Sequence, residues 1–444
     1  MDILQSLPDT LKKIAVTPLD PKYNSVRSNC FRIGSPALVL LATNVGQIKE
    51  AINFVAHLNM IENRKIPFSI RSGGHGMMMT SVNNDGIILD ISQYNHVTIE
   101  DSSKGIVRIQ AGAIWGDVAQ ILSPYQLAIS SGDFGDTGVG GLSIFGGIGL
   151  MVRKYGLTID NIIGAKLITG TGNIIWVDKD HHPDIFWGIR GGGQLGIVTE
   201  FLFKAFKIPT NKEIQTPVVS QKIMYKVDNI YHFLKKWRDW VDTSSIKLTS
   251  NLMISQNSDK CYSASVNNVW CEHQSHESTD TFNRSKLLGS IDKEKTQELS
   301  YARLVEAPHI PHTGQDEMYI KNGMTRKLSK DIILSIQNLL KNPEVMAVEV
   351  RSIGGNLNKK SDAYNAWSYR NVKWFIAVWG HKDNASKINK LFNPLLNKLD
   401  GVYGGYSSDI SLEENERVWP SEVLIKLKKL HLKIDPQQIF TCRR

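Results

Sequence analysis

The sequence predicts an α+β chain in two parts: a glycine-rich α/β portion, then an antiparallel sheet backed by helices. Three observations predict it. Between residues 36 and 71 a buried strand, an amphipathic helix and a second strand follow one another. Glycines crowd two stretches, 73–76 and 132–149. Past Pro209 the glycine turns thin out, most of the tryptophans appear, and strands alternate with helices. The expected boundaries are 1–208, 209–402, and a tail, 403–444, that returns to the first part.

A length of 444 residues allows two domains. The hydrophobic and charged fractions, 41% and 21%, are those of an ordinary globular protein. The net charge of +9 comes from scattered lysines and arginines. No basic face interleaved with aromatics stands out, so nucleic acid is not an expected partner, while an anionic substrate is allowed. Residues 1–15 start acidic and lack an apolar core, so no signal peptide is expected. No apolar run approaches the roughly 20 residues that span a bilayer. These readings favour a cytoplasmic protein without a membrane partner. Cys30, Cys261, Cys271 and Cys442 are sparse and lack CxxC spacing, which argues against zinc and against a disulfide framework. No metal is expected.

In chain order, Pro36–Leu41 reads as a buried strand by its continuous apolar run. Asn44 caps a helix over 45–58, with Ile48, Ile52, Val55 and Ala56 at helical spacing. Phe68-Ser69-Ile70-Arg71 is a strand that runs into Ser72-Gly73-Gly74-His75-Gly76. Such a turn bares successive backbone N–H groups, which suit an anion. Arg71 adds a cation and Ser72 a hydroxyl, so the stretch reads as a phosphate-binding loop. His75 places a nucleophilic imidazole at its exit. On these residues alone, a buried histidine beside a tight turn is the alternative. Met77, Met78 and Met79 read as plastic packing, or as a soft wall beside a ligand. Residues 86–90 and 106–111 are strands, and 115–121 a helix.

The second stretch runs Ser131-Gly132-Asp133-Phe134-Gly135-Asp136-Thr137-Gly138-Val139-Gly140-Gly141, continued by Phe145-Gly146-Gly147-Ile148-Gly149. So many glycines mean backbone packed against something bulky, or else a set of tight turns with no ligand. Neither a Walker loop nor a GxGxxG strand–helix turn is present, so a Rossmann site is not supported.

Together, residues 66–100, 131–161 and 184–204 resemble the flavin domain of the berberine-bridge-enzyme-like branch of the vanillyl-alcohol-oxidase superfamily, whose FAD-binding domain is of the PCMH type. The resemblance implies that Arg71, Ser72, Gly73, Gly74 and Gly76 wrap the FAD pyrophosphate and that His75 bonds the flavin 8α-methyl. It makes Gly132, Asp133, Thr137, Gly138, Gly141 and Gly146 the second flavin loop, and Gly196 and Val198 the last flavin-contacting segment. Plant members carry a second tethering cysteine where Phe134 stands here. FAD is therefore expected on His75 only, with a more open site and a lower flavin potential. Asp184-Ile185-Phe186-Trp187-Gly188-Ile189-Arg190-Gly191-Gly192-Gly193 matches a further family motif. Ile434-Asp435-Pro436-Gln437-Gln438-Ile439-Phe440 resembles the family's closing clasp, and Cys442 beyond it reads as a surface thiol.

In the second part, 247–255, 263–270, 346–354 and 374–379 read as extended, and 329–341 and 387–399 as helical. One face of the resulting sheet is expected to cover the flavin. A flavin oxidation needs a base for the O–H or N–H proton while the C–H hydride leaves. Tyr406 and Tyr403, in Tyr403-Gly404-Gly405-Tyr406, resemble the family's Tyr-x-Asn-Tyr segment and are the leading candidates. Tyr369 stands where relatives have a histidine and is expected to line the pocket. By even spacing Lys359 occupies the place of the plant catalytic glutamate, so that mechanism does not carry over. His309 and His312 are placed to approach the site from a lid loop or to face solvent. The reading that follows is an FAD-dependent oxidase taking a hydride from an alcohol, sugar or amine carbon of a small molecule and passing electrons to O2. The alternatives are a dehydrogenase with another acceptor and an inert flavin-binding protein.

Overall fold

Three short parallel strands carry the first glycine loop. In the computed structural model, which describes residues 3–210, 213–257, 261–314 and 317–440, Leu38–Leu41 and Phe68–Arg71 flank Ile87–Asp90, all parallel. Ala15–Val16 adds an antiparallel edge to Leu38–Leu41. Parallel neighbours need a crossover, and the helix Val45–Ile61 supplies it. Its cap is Asn44, whose side chain accepts a hydrogen bond from the Gln47 N–H. The continuous apolar runs are explained by burial on both faces, with Leu38, Val39 and Leu40 wholly inaccessible.

A second sheet is antiparallel throughout, in the order Val97–Asp101, Ile106–Gln110, Ile197–Lys204, Ile162–Ile168, Ile174–Asp178. Within the second glycine stretch, Val139–Phe145 is a helix. Tyr155 ends another short helix at Gly156, which holds φ +77°.

Seven antiparallel strands make the third large sheet, ordered Ser290–Ser300, Pro217–Val227, Tyr262–Trp270, Leu248–Gln256, Ala347–Ser352, Trp374–His381, Met318–Thr325. The helices Ile230–Asp242, Lys330–Leu339 and Ala385–Leu396 supply Trp237, Ile333 and Phe392 to the core on one face. Alternation along two central strands shows why both faces are buried. Val348, Val350, Ile376 and Val378 join that helix-side core, while Phe375 and Ala377 join the core shared with the glycine-rich part. Three of the seven strands, Pro217–Val227, Ser290–Ser300 and Met318–Thr325, go beyond those read from the sequence. Ser290–Ser300 is an edge strand exposed over most of its length, without a hydrophobic alternation to betray it.

The chain then returns. The helix Ser421–Ile434 packs on Pro183–Ile189. The Ile434 carbonyl accepts from the Gly170 N–H. The Asp435 carboxylate accepts from the N–H groups of Ile439 and Phe440, and Phe440 stacks on Phe68 at 6.3 Å. Cys442 lies outside the described residues.

Candidate active site

Both glycine stretches and one face of the seven-stranded sheet meet around a cavity of about 540 Å3. Ser72, Gly73, Gly74, His75 and Gly76 line it from the first loop, and Gly132, Asp133, Thr137, Gly138 and Gly141 from the second. Gly196 and Val198 line it from the start of their strand. Arg351, Trp379, Tyr403 and Tyr406 close it from the opposite side.

The two loops cross in backbone contact. A Cβ on Gly73 would sit 2.4 Å from the Gly138 nitrogen, and one on Gly138 would sit 2.3 Å from the Gly73 nitrogen. No side chain fits at either place. Gly141 is glycine for another reason. It lies inside a helix, where glycine costs about 1 kcal/mol relative to alanine. A Cβ there would meet no protein atom within 4 Å. The space it leaves belongs to the cavity, which Gly141 lines. A backbone-lined cradle with apolar walls, Ile70, Ile144 and Ile148 among them, fits a flavin dinucleotide.

Charge is concentrated on the sheet side. Glu349 and Arg351 stand two apart on Ala347–Ser352, on the face opposite Val348 and Val350. The Arg351 guanidinium pairs with Glu349 at 2.5 Å and with Asp133 of the second loop at 2.6 Å. Both carboxylates hold its proton more firmly than usual, outweighing the cost of burial. The Tyr406 hydroxyl donates to Glu349 and accepts from Arg351, each at 3.0 Å. Burial first, then the Glu349 charge, push Tyr406 well above the ordinary phenol range, with Arg351 opposing. Burial pushes the Asp133 carboxyl up to about 6, with Arg351 pulling down and Glu349 adding to the rise. One Asp133 oxygen accepts from the Asn251 amide at 3.3 Å, and its other oxygen, Oδ1, has no hydrogen-bond partner.

Residues 36–178 match the family model described as FAD binding domain. Over 448 aligned positions the chain is 26% identical to an FAD-linked oxidoreductase of Bacillus subtilis (strain 168), covering 96% of this chain and 94% of that one. The chain is an FAD-linked oxidoreductase. A 175-residue stretch of the oxidoreductase is 33% identical to (R)-6-hydroxynicotine oxidase of Paenarthrobacter nicotinovorans, covering 39% of this chain and 37% of that one. Glucooligosaccharide oxidase of Acremonium strictum, which carries a 6-S-cysteinyl, 8α-N1-histidyl FAD, has the same fold. Its TM-score is 0.78 at 19% identity, over 96% of this chain and 95% of that one. The architecture is therefore that of the PCMH-type flavin oxidases.

Several expected site residues of the oxidoreductase fall elsewhere. Arg71 does not reach the cavity: its guanidinium donates to Asp90 and to the Ser28 carbonyl, beneath Gly74. It braces the loop from behind. Gly146 ends the helix Val139–Phe145 at φ +150° against Trp367 and Tyr403 and does not line the cavity. Tyr369 lies behind the site with its ring under Gly401, and its hydroxyl donates to the Arg417 carbonyl at 2.7 Å. Tyr403 does line the cavity, but its hydroxyl accepts from the Gly147 N–H at 3.0 Å and so anchors the second loop. Burial pushes that phenol up to about 12. Lys359 is exposed at the end of a short turn. Of the two lid histidines, His309 is at the surface against Asp117, whereas His312 is buried beside His75. Phe134, at the place of the tethering cysteine, stacks on His75 at 5.6 Å.

Glu349 and Arg351 were missed in sequence. Their signal was there: two charges spaced two apart inside the otherwise apolar run 346–351 point to one polar patch on a buried strand.

Proposed function

We propose that this oxidoreductase is an oxidase that takes a hydride from an alcohol, sugar or amine carbon of a small molecule and passes the electrons to dioxygen. FAD would be tethered through His75 alone. The observation that carries the reading is the Tyr406 hydroxyl, held at the cavity between a carboxylate and a guanidinium.

The glycine loops would hold the cofactor, with Gly73, Gly138 and Gly141 keeping the backbone close to it. Bound FAD supplies the hydride acceptor. The protein supplies the base. At rest Tyr406 is a neutral phenol whose proton points to Glu349. As the substrate O–H or N–H loses its proton to the phenol oxygen, the phenol proton moves to Glu349, so no net charge is left on the tyrosine. Arg351 stays bonded to the same oxygen and limits the charge that builds there during transfer. Tyr403 keeps the loop in place. Asp133 holds Arg351 from the far side and leaves one oxygen for a donor on the substrate.

The test is oxygen-dependent peroxide release from purified protein over a panel of alcohols, reducing sugars and secondary amines. Reduction of the flavin without peroxide would make the protein a dehydrogenase. Absence of reduction by every class would remove the catalytic reading. Acid denaturation followed by size filtration tests the tether: yellow colour should stay with the native chain and pass into the filtrate from His75→Ala. Colour retained by His75→Ala would point to Cys30, which also lines the cavity.

A further inference from the structure

His75 is not alone at its end of the cavity. Its Nε2 lies 3.3 Å from Oδ1 of Asp136, and Nε2 of His312 lies 3.4 Å from Oδ2 of the same carboxylate. One aspartate thus holds two imidazoles, one on each oxygen. The His312 ring meets the His75 ring edge-on at 5.2 Å, at 88°, while Phe134 covers the other side. His75 is clamped in one orientation by three neighbours. Asp136 comes from the second glycine loop and His312 from the loop that precedes Met318–Thr325. All three side chains are buried or half-buried.

We propose that Asp136, supported by His312, is the positioning residue that makes His75 the nucleophile for covalent flavin attachment. The inference rests on the reading that His75 carries the flavin. A carboxylate at Nε2 selects the tautomer with the hydrogen on that nitrogen, which leaves the lone pair on Nδ1. Nδ1 is then free to form the bond. Attachment joins Nδ1 to the 8α carbon as one methyl C–H bond breaks. The methyl proton and the Nε2 proton leave, the latter onto Asp136. The two electrons of the C–H bond reduce the flavin ring, and dioxygen takes them up to give hydrogen peroxide. A carboxylate that must receive a proton has to start ionised. Burial works against that for Asp136, but the hydrogen bond from His75 and the nearby His75 and His312 rings outweigh it, and the carboxyl sits below its ordinary range. His312 holds the second oxygen, so the carboxylate faces His75 in one pose.

The sequence carries a matching oddity. The second loop of this chain places Asp136 two residues after Phe134, which holds the site of the missing cysteine. A chain that relies on one tether gains from a device that secures it.

The experiment uses the full chain, produced under riboflavin limitation and then incubated with FAD in air. Flavin retained after acid denaturation is followed with time, and total bound flavin is measured before denaturation. For Asp136→Asn the covalent rate should fall at least tenfold while total bound flavin stays near the native ratio. Asp136→Glu, which restores the carboxylate, should recover most of the rate. His312→Gln should lie between the two. Native rates in both Asp136→Asn and His312→Gln would overturn the proposal, and so would a loss in Asp136→Asn that Asp136→Glu does not repair. Slower loading of the native chain after chelator treatment would also overturn it, in favour of a metal held by the same three side chains. A native chain that holds no covalent flavin, or holds it equally in His75→Ala, would overturn the tether reading itself and this proposal with it.

Discussion

The two walls of the cavity are built on opposite principles. On the glycine-loop side the surface is made of backbone with few side chains: Gly73 and Gly138 touch through their main chains, and Gly141 leaves open space. On the sheet side the backbone is sealed within a ladder, and the working parts are the side chains of Glu349, Arg351 and Tyr406. The first wall answers to a large, invariant cofactor, for which close approach matters most. In the function proposed above, the second answers to a proton and a small substrate, for which the placement of single polar atoms matters most. A wall made of backbone fails by steric exclusion, and a wall made of side chains fails by lost chemistry.

That contrast can be broken most severely at the loop crossing. Gly138→Val should abolish flavin binding, with bound flavin below about a tenth of native, because its side chain would displace the Gly73 backbone. The ratio of flavin to protein absorbance measures it. A flavin content near native would show that the loops can separate, and the backbone wall would lose its rationale.

Next in size is Tyr406→Phe. Flavin content should be unchanged and the rate of flavin reduction by substrate should drop about 100- to 10,000-fold, the usual worth of a positioned base. Glu349→Gln should lower the same rate by a comparable factor, since Glu349 is where the proton comes to rest. Loss of flavin from either variant would mean that the sheet wall also holds the cofactor.

Asp133 gives a smaller effect with a definite sign. Its carboxyl titrates near 6 in the fold and near 3.9 unfolded, so the folded state binds the proton more tightly. The stabilisation this brings is complete below pH 4 and is lost as pH rises through 6. Asp133→Asn has no such proton to lose. Relative to native it should gain stability between pH 4 and pH 7, by at most about 3 kcal/mol, read as a difference in Tm across that range. A parallel pair of curves would show that Asp133 titrates where ordinary aspartates do.

The smallest change sharpens the comparison best. Gly141→Ala should raise Tm slightly, because alanine favours a helix by up to about 1 kcal/mol and meets no neighbour. The same change should weaken flavin binding. Fold and cofactor would then respond with opposite signs to one methyl group.

The same contrast explains what could be read from the chain. A backbone wall writes itself as strings of glycine, so the loops at 73–76 and 131–149 and the histidine in the first of them were legible, and the strand–helix–strand unit that carries the first loop followed from apolar runs and the Asn44 cap. The reading erred where a residue's type was right but its direction was not. Arg71 is a cation at a phosphate-like loop, yet it points backward to Asp90, and nothing in Phe-Ser-Ile-Arg says which way the side chain turns. Tyr369 failed in the same manner. The sheet wall was harder still, because Lys359 was placed by counting along a segment, while the carboxylate beside Tyr406 is Glu349, ten residues earlier on the neighbouring strand. Strand Ser290–Ser300 was unreadable for a different reason: it is exposed on an edge, and solvent imposes no pattern.

The closing segment has a consequence for how the protein is assembled. Phe68, at the head of the strand that leads into His75, is covered by Phe440, and Gly170 is tied to Ile434. The strand that leads into the first glycine loop therefore receives a buried contact from residues more than 350 positions further along the chain. Such a contact joins residues far apart in sequence and raises the mean sequence separation of the fold's contacts. During synthesis the strand that leads into His75 lacks this cover until the 434–440 segment has emerged, so its packing is completed from far along the chain.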